Sequence, residues 1–137
     1  MKTICIVIPV YKSHSFISRL FSSLNQASAT NLFSWTIYFV DDSPEVDFNW
    51  DSFIAGLQIK NKVFKNIDWV RNKKNRGVTF SRNRAYLSTK ADFYVFFDSD
   101  DEARPGALEG IELEIKKMVS KCNVLLMATS ASKSQQK

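Results

Sequence analysis

The chain has 137 residues, of which 45% are hydrophobic and 24% are charged, and it carries 19 Lys and Arg against 14 Asp and Glu. This length and composition fit one soluble globular domain, and they exclude a dependence on disulfides or a structural metal for forming a core. The net charge of +5 favours anionic partners such as phosphates, although solvated lysines explain most surpluses of this size.

The cysteines and the N-terminal segment bear on the cellular compartment. Cys5 and Cys122 are far apart, with no CxxC or Cys/His metal spacing, so we interpret both as reduced residues buried in strands. The apolar run at the start is short, contains Pro9 and lacks a small-residue cleavage site, which favours a first strand over a signal peptide. No window approaches the roughly 18 apolar residues of a membrane span. We expect a cytoplasmic protein, with peripheral attachment to the inner face of the membrane as an open alternative.

Apolar, β-branched runs alternate with segments of helical spacing along the chain. The pattern predicts, in order, a strand over 3–10, a helix within 13–28, a strand that runs into a polar turn over 34–44, a short helix over 49–60, a strand over 66–72, a helix over 78–90, a strand over 91–98, a helix from Pro105 and a fifth strand over 122–128. This alternation predicts an α/β fold with helical layers around a mainly parallel sheet. The domain is expected to span 1–129, and 130–137 to form a polar, disordered tail.

Two acidic clusters directly follow predicted strands. Asp41 and Asp42 fall just beyond the C-terminal end of the second strand, and Asp98, Asp100 and Asp101 just beyond that of the fourth. Ligands of open α/β sheets bind outside the carboxyl ends of the strands, so both clusters converge on one edge. A D-x-D spacing can aim alternate carboxylates at one hard cation such as Mg²⁺ or Mn²⁺. The alternative for each cluster is a polar turn in which Asp side chains accept from local N–H groups.

Basic residues and one histidine lie between these clusters and before them. The basic stretch can face a phosphate, although such runs are usually solvated surface; it comprises Arg71, Lys73, Lys74, Arg76, Arg82 and Arg84. Gly77 lets the backbone turn sharply before the next helix, whose N-terminus can itself favour an anion. His14 precedes a helix and is interpreted as a surface residue, so a His-based triad is not expected.

Four segments together resemble one protein family. IVIPVYKSHSFISRLFSSL, FVDDSP, NRGVTFSRNRA and FFDSDDEARPGALE occur in the order and spacing of the N-terminal half of family 2 glycosyltransferases. The resemblance spans residues 3–128. It implies the GT-A fold, a Rossmann-like arrangement of α/β/α layers, truncated here after the fifth predicted strand.

The resemblance also implies roles for the matching positions. The Pro9-Val10-Tyr11 turn would lie against the nucleotide base, Asp42 would accept a hydrogen bond from it, and Arg82 would lie near the nucleotide. Asp98 would lie near the ribose, and Asp100 would bind the metal that holds the diphosphate, with Asp101 assisting either. The implied nucleotide-binding residues are Pro9, Val10, Tyr11, Asp42, Asn75, Gly77, Arg82 and Asp98, and the implied metal ligands are Asp100 and Asp98.

The implied reaction is inverting transfer of a sugar from a UDP- or GDP-sugar to a hydroxyl of an acceptor glycan or lipid-linked sugar. Mn²⁺ or Mg²⁺ would stabilise charge on the leaving diphosphate, and an enzyme base would deprotonate the acceptor. In the family this base comes from a region beyond the fifth strand, so no catalytic base is identified here. The sequence departs from the family pattern at Lys12 (usually Asn), Ser43-Pro44 (usually Gly-Ser) and Ser81 (usually Ala).

Other functions remain as alternatives. A non-catalytic nucleotide-binding or interaction module of the same family could pair with a second copy through an exposed sheet edge. Phosphatases and response regulators carry their key Asp after the first strand, which here ends in Pro9-Val10-Tyr11. Nucleic acid is not an expected partner, because only the basic balance supports it and no recognisable motif does.

Overall fold

Four parallel strands form the centre of the computed structural model, which describes residues 1–27, 29–30 and 32–121. The elements in chain order are β1 (Lys2–Val10), a 3-10 helix (His14–Phe16), α1 (Ile17–Gln26), β2 (Phe33–Asp41), α2 (Trp50–Lys60), β3 (Phe64–Arg71), α3 (Val78–Ser88), β4 (Phe93–Phe96) and α4 (Ala107–Lys121). Cys122, the fifth strand predicted over 122–128 and the tail predicted over 130–137 lie outside the described residues.

The strand order is β3-β2-β1-β4, and every pairing is parallel. The register places Val10 opposite Asp41, and Asp41 opposite Arg71. Three strands therefore end at the same level, so the loops that follow them share one edge of the sheet. The predicted α/β class with a mainly parallel sheet is confirmed.

The two faces of β1 separate two hydrophobic clusters. Ile4, Ile6, Ile8 and Val10 belong to the larger cluster, to which α1, α2 and α4 contribute their apolar residues. Cys5 and Val7 alternate with them and belong to the smaller cluster, which contains Ala85 of α3. A strand covered on both faces must be apolar throughout, which explains the unbroken run in the sequence.

Helix boundaries follow local chemistry. In α1 the buried residues Ile17, Leu20, Phe21 and Leu24 recur at helical spacing, and they form the face that packs on the sheet. The sequence predicted Pro105 in the first turn of the last described helix. In the structure α4 begins at Ala107, so Pro105 lies in the turn that precedes it. None of the described helices is long and apolar enough to span a membrane.

Glu112 of α4 is a buried carboxylate in the core. Its Oε2 accepts from the indole N–H of Trp35 at 2.9 Å, and its Oε1 accepts from the backbone N–H of Thr30 at 3.0 Å. The indole N–H of Trp35 depends on this side chain, because Trp35 is buried and separated from water. These two hydrogen bonds join α4 to β2 and to the segment that precedes β2.

Replacing Glu112 by Ala is expected to lower the free energy of unfolding by about 1–3 kcal/mol, because it leaves the buried indole N–H of Trp35 without an acceptor. Chemical denaturation measured by circular dichroism would test this. Glu114→Ala is the matched control, since Glu114 is only partly buried on the same helix. Equal destabilisation by the two substitutions would contradict the role of Glu112.

Candidate functional site

A cavity of about 510 Å³ opens at the carboxyl edge of the sheet. Seven of the eight residues predicted to bind a nucleotide line it, and so does Asp100; the exception is Arg82. The lining residues are Pro9, Val10, Tyr11, Ser13, Phe16, Asp42, Asn75, Gly77, Val78, Ser81, Asp98, Ser99 and Asp100. Four segments widely separated in sequence therefore meet at one concave surface.

Asp41 is a fully buried carboxylate at the end of β2. Its Oδ2 accepts from Trp50 Nε1 at 2.7 Å, His14 Nε2 at 3.0 Å and Arg71 Nε at 3.3 Å, while its Oδ1 accepts from the backbone N–H of Ser43 at 2.9 Å. Burial raises the pKa of the Asp41 carboxyl, but the hydrogen bonds from Trp50, His14 and Ser43 outweigh it, and the pKa lies below its ordinary value. Asp41 thus holds the segments around the cavity in position, and it does not itself line the cavity.

His14 is not the surface residue that the sequence predicted. Only 9% of its side chain is exposed, and its ring lies 4.6 Å from that of Phe48 and 5.9 Å from that of Trp50. The residues next to His14 in the sequence do not indicate this burial, because its hydrogen-bond partner, Asp41, lies 27 residues further along the chain.

Asp42 points away from Asp41 and holds the loop that leads into α3. Its Oδ1 accepts from Asn72 Nδ2 and from the backbone N–H of Arg76, both at 2.8 Å, and its Oδ2 accepts from the backbone N–H of Gly77 at 2.8 Å. Gly77 has φ = 92°, a conformation in which a residue with a side chain would be strained. Glycine there lets the loop pass the Asp42 carboxylate and enter the helix.

Two of the departures from the family pattern have clear structural roles. The Ser43 hydroxyl accepts from the backbone N–H of Lys12 at 2.8 Å, and Lys12 has φ = 52°. The Ser81 hydroxyl accepts from Asn72 Nδ2 at 3.0 Å, and Ser81 is buried in the cavity wall. Ser43 thus holds the loop that carries Tyr11, and Ser81 holds the side chain that bonds Asp42.

The acidic turn after β4 brings three carboxylates together. Oxygen atoms of Asp98, Asp100 and Asp101 lie within 4.8 Å of one another. The backbone N–H of Asp98 donates to Asp101 Oδ2 at 2.8 Å, and the N–H of Asp101 donates to the Asp98 carbonyl at 3.0 Å. Burial and the charges of Asp98 and Asp100 raise the pKa of the Asp101 carboxyl, although the Asp98 N–H opposes this. Carboxylates this close repel one another, and a divalent cation would relieve the repulsion.

Asp101 accepts a hydrogen bond within the turn, and the carboxylates of its two acidic neighbours do not. Asp98 and Asp100 are exposed, and the carboxylate of Asp100 accepts no hydrogen bond from the residues that the structure describes. Asp98 Oδ1 lies 3.7 Å from Arg82 Nη2. Two exposed carboxylates thus lie at the cavity wall.

Side chains of α1 and the preceding loop hold this turn in place. Arg19 Nη2 donates to the Asp100 carbonyl at 3.1 Å, and the Ser23 hydroxyl accepts from the Ala103 N–H at 2.8 Å. The hydroxyls of Ser13 and Ser99 lie 2.6 Å apart. The turn is thus bonded to the first helix of the chain as well as to itself.

Arg82 lies beside the cavity and not in its lining. Its guanidinium lies 5.3 Å from the centre of the Phe96 ring, and its buried Nε–H has no hydrogen-bond partner in the described part of the chain. The weak 3.7 Å ion pair with Asp98 leaves most of its donors unused.

Several cavity residues were not singled out from the sequence. Ser13, Phe16, Val78 and Ser99 line the cavity, and Asn72 bonds Asp42 in its wall. Asn72 offered a signal, since it follows β3 at the same edge as the acidic clusters. The others carry side chains too ordinary to attract attention before the loops are placed.

The pKa of the Asp41 carboxyl tests the frame of the site. Since its folded-state pKa is lowered, the ionised form contributes stability above the ordinary Asp pKa of about 3.9, which is lost as the pH falls through the folded-state value. Trp50→Phe removes one donor and is expected to raise this pKa in a ¹³C NMR titration. Trp69→Phe is the control, because the Trp69 indole donates to Asp51 instead. An identical pKa in wild type and Trp50→Phe would refute the donor role.

Asp42→Asn is expected to loosen the loop that leads into α3. The amide that replaces the carboxylate directs N–H groups at the N–H of Gly77, so hydrogen exchange of the Gly77 amide should accelerate by about tenfold or more. Hydrogen exchange followed by NMR would measure it. Asp47→Asn, the same change at an exposed carboxylate, should leave the Gly77 exchange rate unaltered.

The chain is similar in fold to several proteins of known structure. No curated protein matches the chain significantly. Among solved structures, S. aureus TarS matches with a TM-score of 0.67 and 22% identity, over 85% of this chain and 20% of that one. TarS 1-349 in complex with UDP matches at 0.67 and 24%, covering 32% of that chain, and its complex with UDP-GlcNAc at 0.67 and 23%, also over 32%.

These structures confirm the fold, and the chain spans only a fifth to a third of their length. A model of one protein family, described as glycosyl transferase family 2, matches residues 5–124. This match covers most of the chain, carries all four segments on which the resemblance rested and ends beyond the acidic turn. The chain therefore belongs to glycosyl transferase family 2.

Proposed function

We propose that this domain binds a nucleotide-diphosphate sugar, a UDP- or GDP-sugar, and presents it for glycosyl transfer. The observation that carries the proposal is the single cavity in which seven of the eight expected nucleotide positions meet the acidic turn. Support also comes from the family membership and from the two TarS structures that hold UDP and UDP-GlcNAc.

The base would occupy the end of the cavity between the loop after β1 and the loop before α3. Tyr11 is half exposed and offers a ring face there, beside Pro9 and Val10. Asp42 Oδ2 accepts one hydrogen bond from the protein, so it retains capacity for a second from a base N–H. The second interaction would add a ligand contact to a carboxylate that the loop already holds in place.

Asp98 and Asp100 would hold Mn²⁺ or Mg²⁺ at the other end. Exposed carboxylate oxygens within 4.8 Å of one another are suitable ligands for such a hard cation. When bound, the ion would neutralise charge on the diphosphate leaving group. Arg82, whose ion pair with Asp98 is long and weak, can turn towards the same phosphates.

The inverting mechanism needs a base that removes a proton from the acceptor hydroxyl. The acidic residues that line the described cavity are Asp42, Asp98 and Asp100, and each is already assigned to the loop, the base or the metal. We therefore assign binding and positioning of the donor to the described residues, and no catalytic base. An acceptor glycan or lipid-linked sugar would approach from the open side of the cavity.

Isothermal titration of UDP and GDP in the presence of Mn²⁺ tests the proposal. We expect binding of one nucleotide, its weakening by EDTA, and a loss of about tenfold or more in affinity for Asp100→Asn, which removes a metal ligand. Asp47→Asn is the matched control, because this exposed carboxylate lies outside the cavity lining.

Two results would contradict the proposal. If neither nucleotide binds with Mn²⁺ or Mg²⁺, the cavity is not a nucleotide site. If Asp100→Asn and Asp47→Asn reduce affinity equally, the acidic turn does not hold the metal.

A further inference from the structure

A second cavity, of about 440 Å³, lies beside the loop that Asp42 holds. We define it as the basic cavity, lined by Asn72, Lys73, Lys74, Arg76, Phe80 and Arg84. The lining has four cationic side chains and no carboxylate. It differs from the nucleotide-sugar cavity, with which it shares no lining residue.

The cations of the basic cavity are not neutralised by the protein. Lys73, Lys74, Arg76 and Arg84 form no ion pair within 4.0 Å anywhere in residues 1–27, 29–30 and 32–121. The carboxylate of Asp42, which bonds the backbone N–H of Arg76, already accepts from three N–H donors. Like charges gathered in a concave surface raise the local positive potential and attract an anion.

Two of the four cations are held in position. Arg84 Nη1 donates to the Asn72 side chain at 2.7 Å and to the Arg71 carbonyl at 3.0 Å, which leaves the rest of its guanidinium fork available. The Arg76 guanidinium lies 4.4 Å from the centre of the Phe80 ring. Held guanidinium groups lose less side-chain entropy on binding, and their planar forks match the oxygens of a phosphate.

We propose that the basic cavity binds a phosphate group, either of a free phosphate or phosphate ester or of a lipid headgroup. Phosphate fits better than a carboxylate because it can carry two charges and offers several oxygens to several cations. Arg84 and Arg76 would bind it through their guanidinium groups, and Lys73 and Lys74 would add charge from the exposed side.

The test compares two triple variants with equal loss of charge. Lys73→Gln, Lys74→Gln and Arg76→Gln together remove three cations of the basic cavity and leave every backbone N–H in place. Lys60→Gln, Lys62→Gln and Lys65→Gln remove three exposed cations elsewhere. Circular dichroism would establish that both variants fold like wild type.

Binding would be measured by calorimetry with inorganic phosphate, and by co-sedimentation with vesicles of phosphatidylcholine alone or with phosphatidylglycerol added. We expect wild type and the control variant to bind in at least one arm, and the cavity variant to lose about tenfold or more with phosphate, or about a hundredfold with anionic vesicles. Binding of inorganic phosphate indicates a free or esterified phosphate as ligand. Binding confined to anionic vesicles indicates the headgroup.

Two outcomes would overturn the proposal. Equal losses in the two triple variants would mean that general surface charge, and not the basic cavity, attracts the anion. Absence of binding by wild type in both arms at low salt would mean that the cavity takes no phosphate.

Discussion

The arrangement of the site depends on the hydrogen bonds that the buried carboxylate of Asp41 accepts. A charged group without access to water is costly unless several donors compensate it, and here the donors come from four different segments. His14 follows β1, Ser43 begins the loop after β2, Trp50 begins α2 and Arg71 ends β3. The hydrogen bonds that compensate one buried charge therefore also fix the relative positions of the loops at this edge of the sheet.

Asp42 extends this arrangement to the opposite side. Successive side chains of a strand point in opposite directions, so two adjacent carboxylates at the end of β2 can hold two different sets of partners. Asp41 accepts from the aromatic residues Trp50 and His14 on one side, and Asp42 holds the loop that ends at Gly77 on the other. Asp41 thus positions the segments on one face of the sheet, and Asp42 positions the loop on the other face.

The sequence was sufficient for the order of the strands and helices as far as α4, and for the edge where polar residues gather. β-Branched runs report burial on both faces, and the ends of parallel strands must coincide at one edge. What could not be predicted are contacts between distant segments. Asp41 and Asp42 each fitted a turn or a ligand, and only the positions of partners about thirty residues away show that both are structural acceptors. His14 was misplaced for the same reason.

The acidic turn differs in one respect from a turn that is built only for stability. A turn built only for stability would satisfy its carboxylates with local N–H groups. Asp101 does this, and the α1 side chain of Arg19 bonds the backbone of Asp100 and not its carboxylate. Backbone bonds and one carboxylate thus suffice to define the turn, and the repulsion among the remaining charges adds nothing to folding. The carboxylates of Asp98 and Asp100 therefore add charge at the cavity wall beyond what the turn requires, and this excess supports the proposal that a cation joins them there.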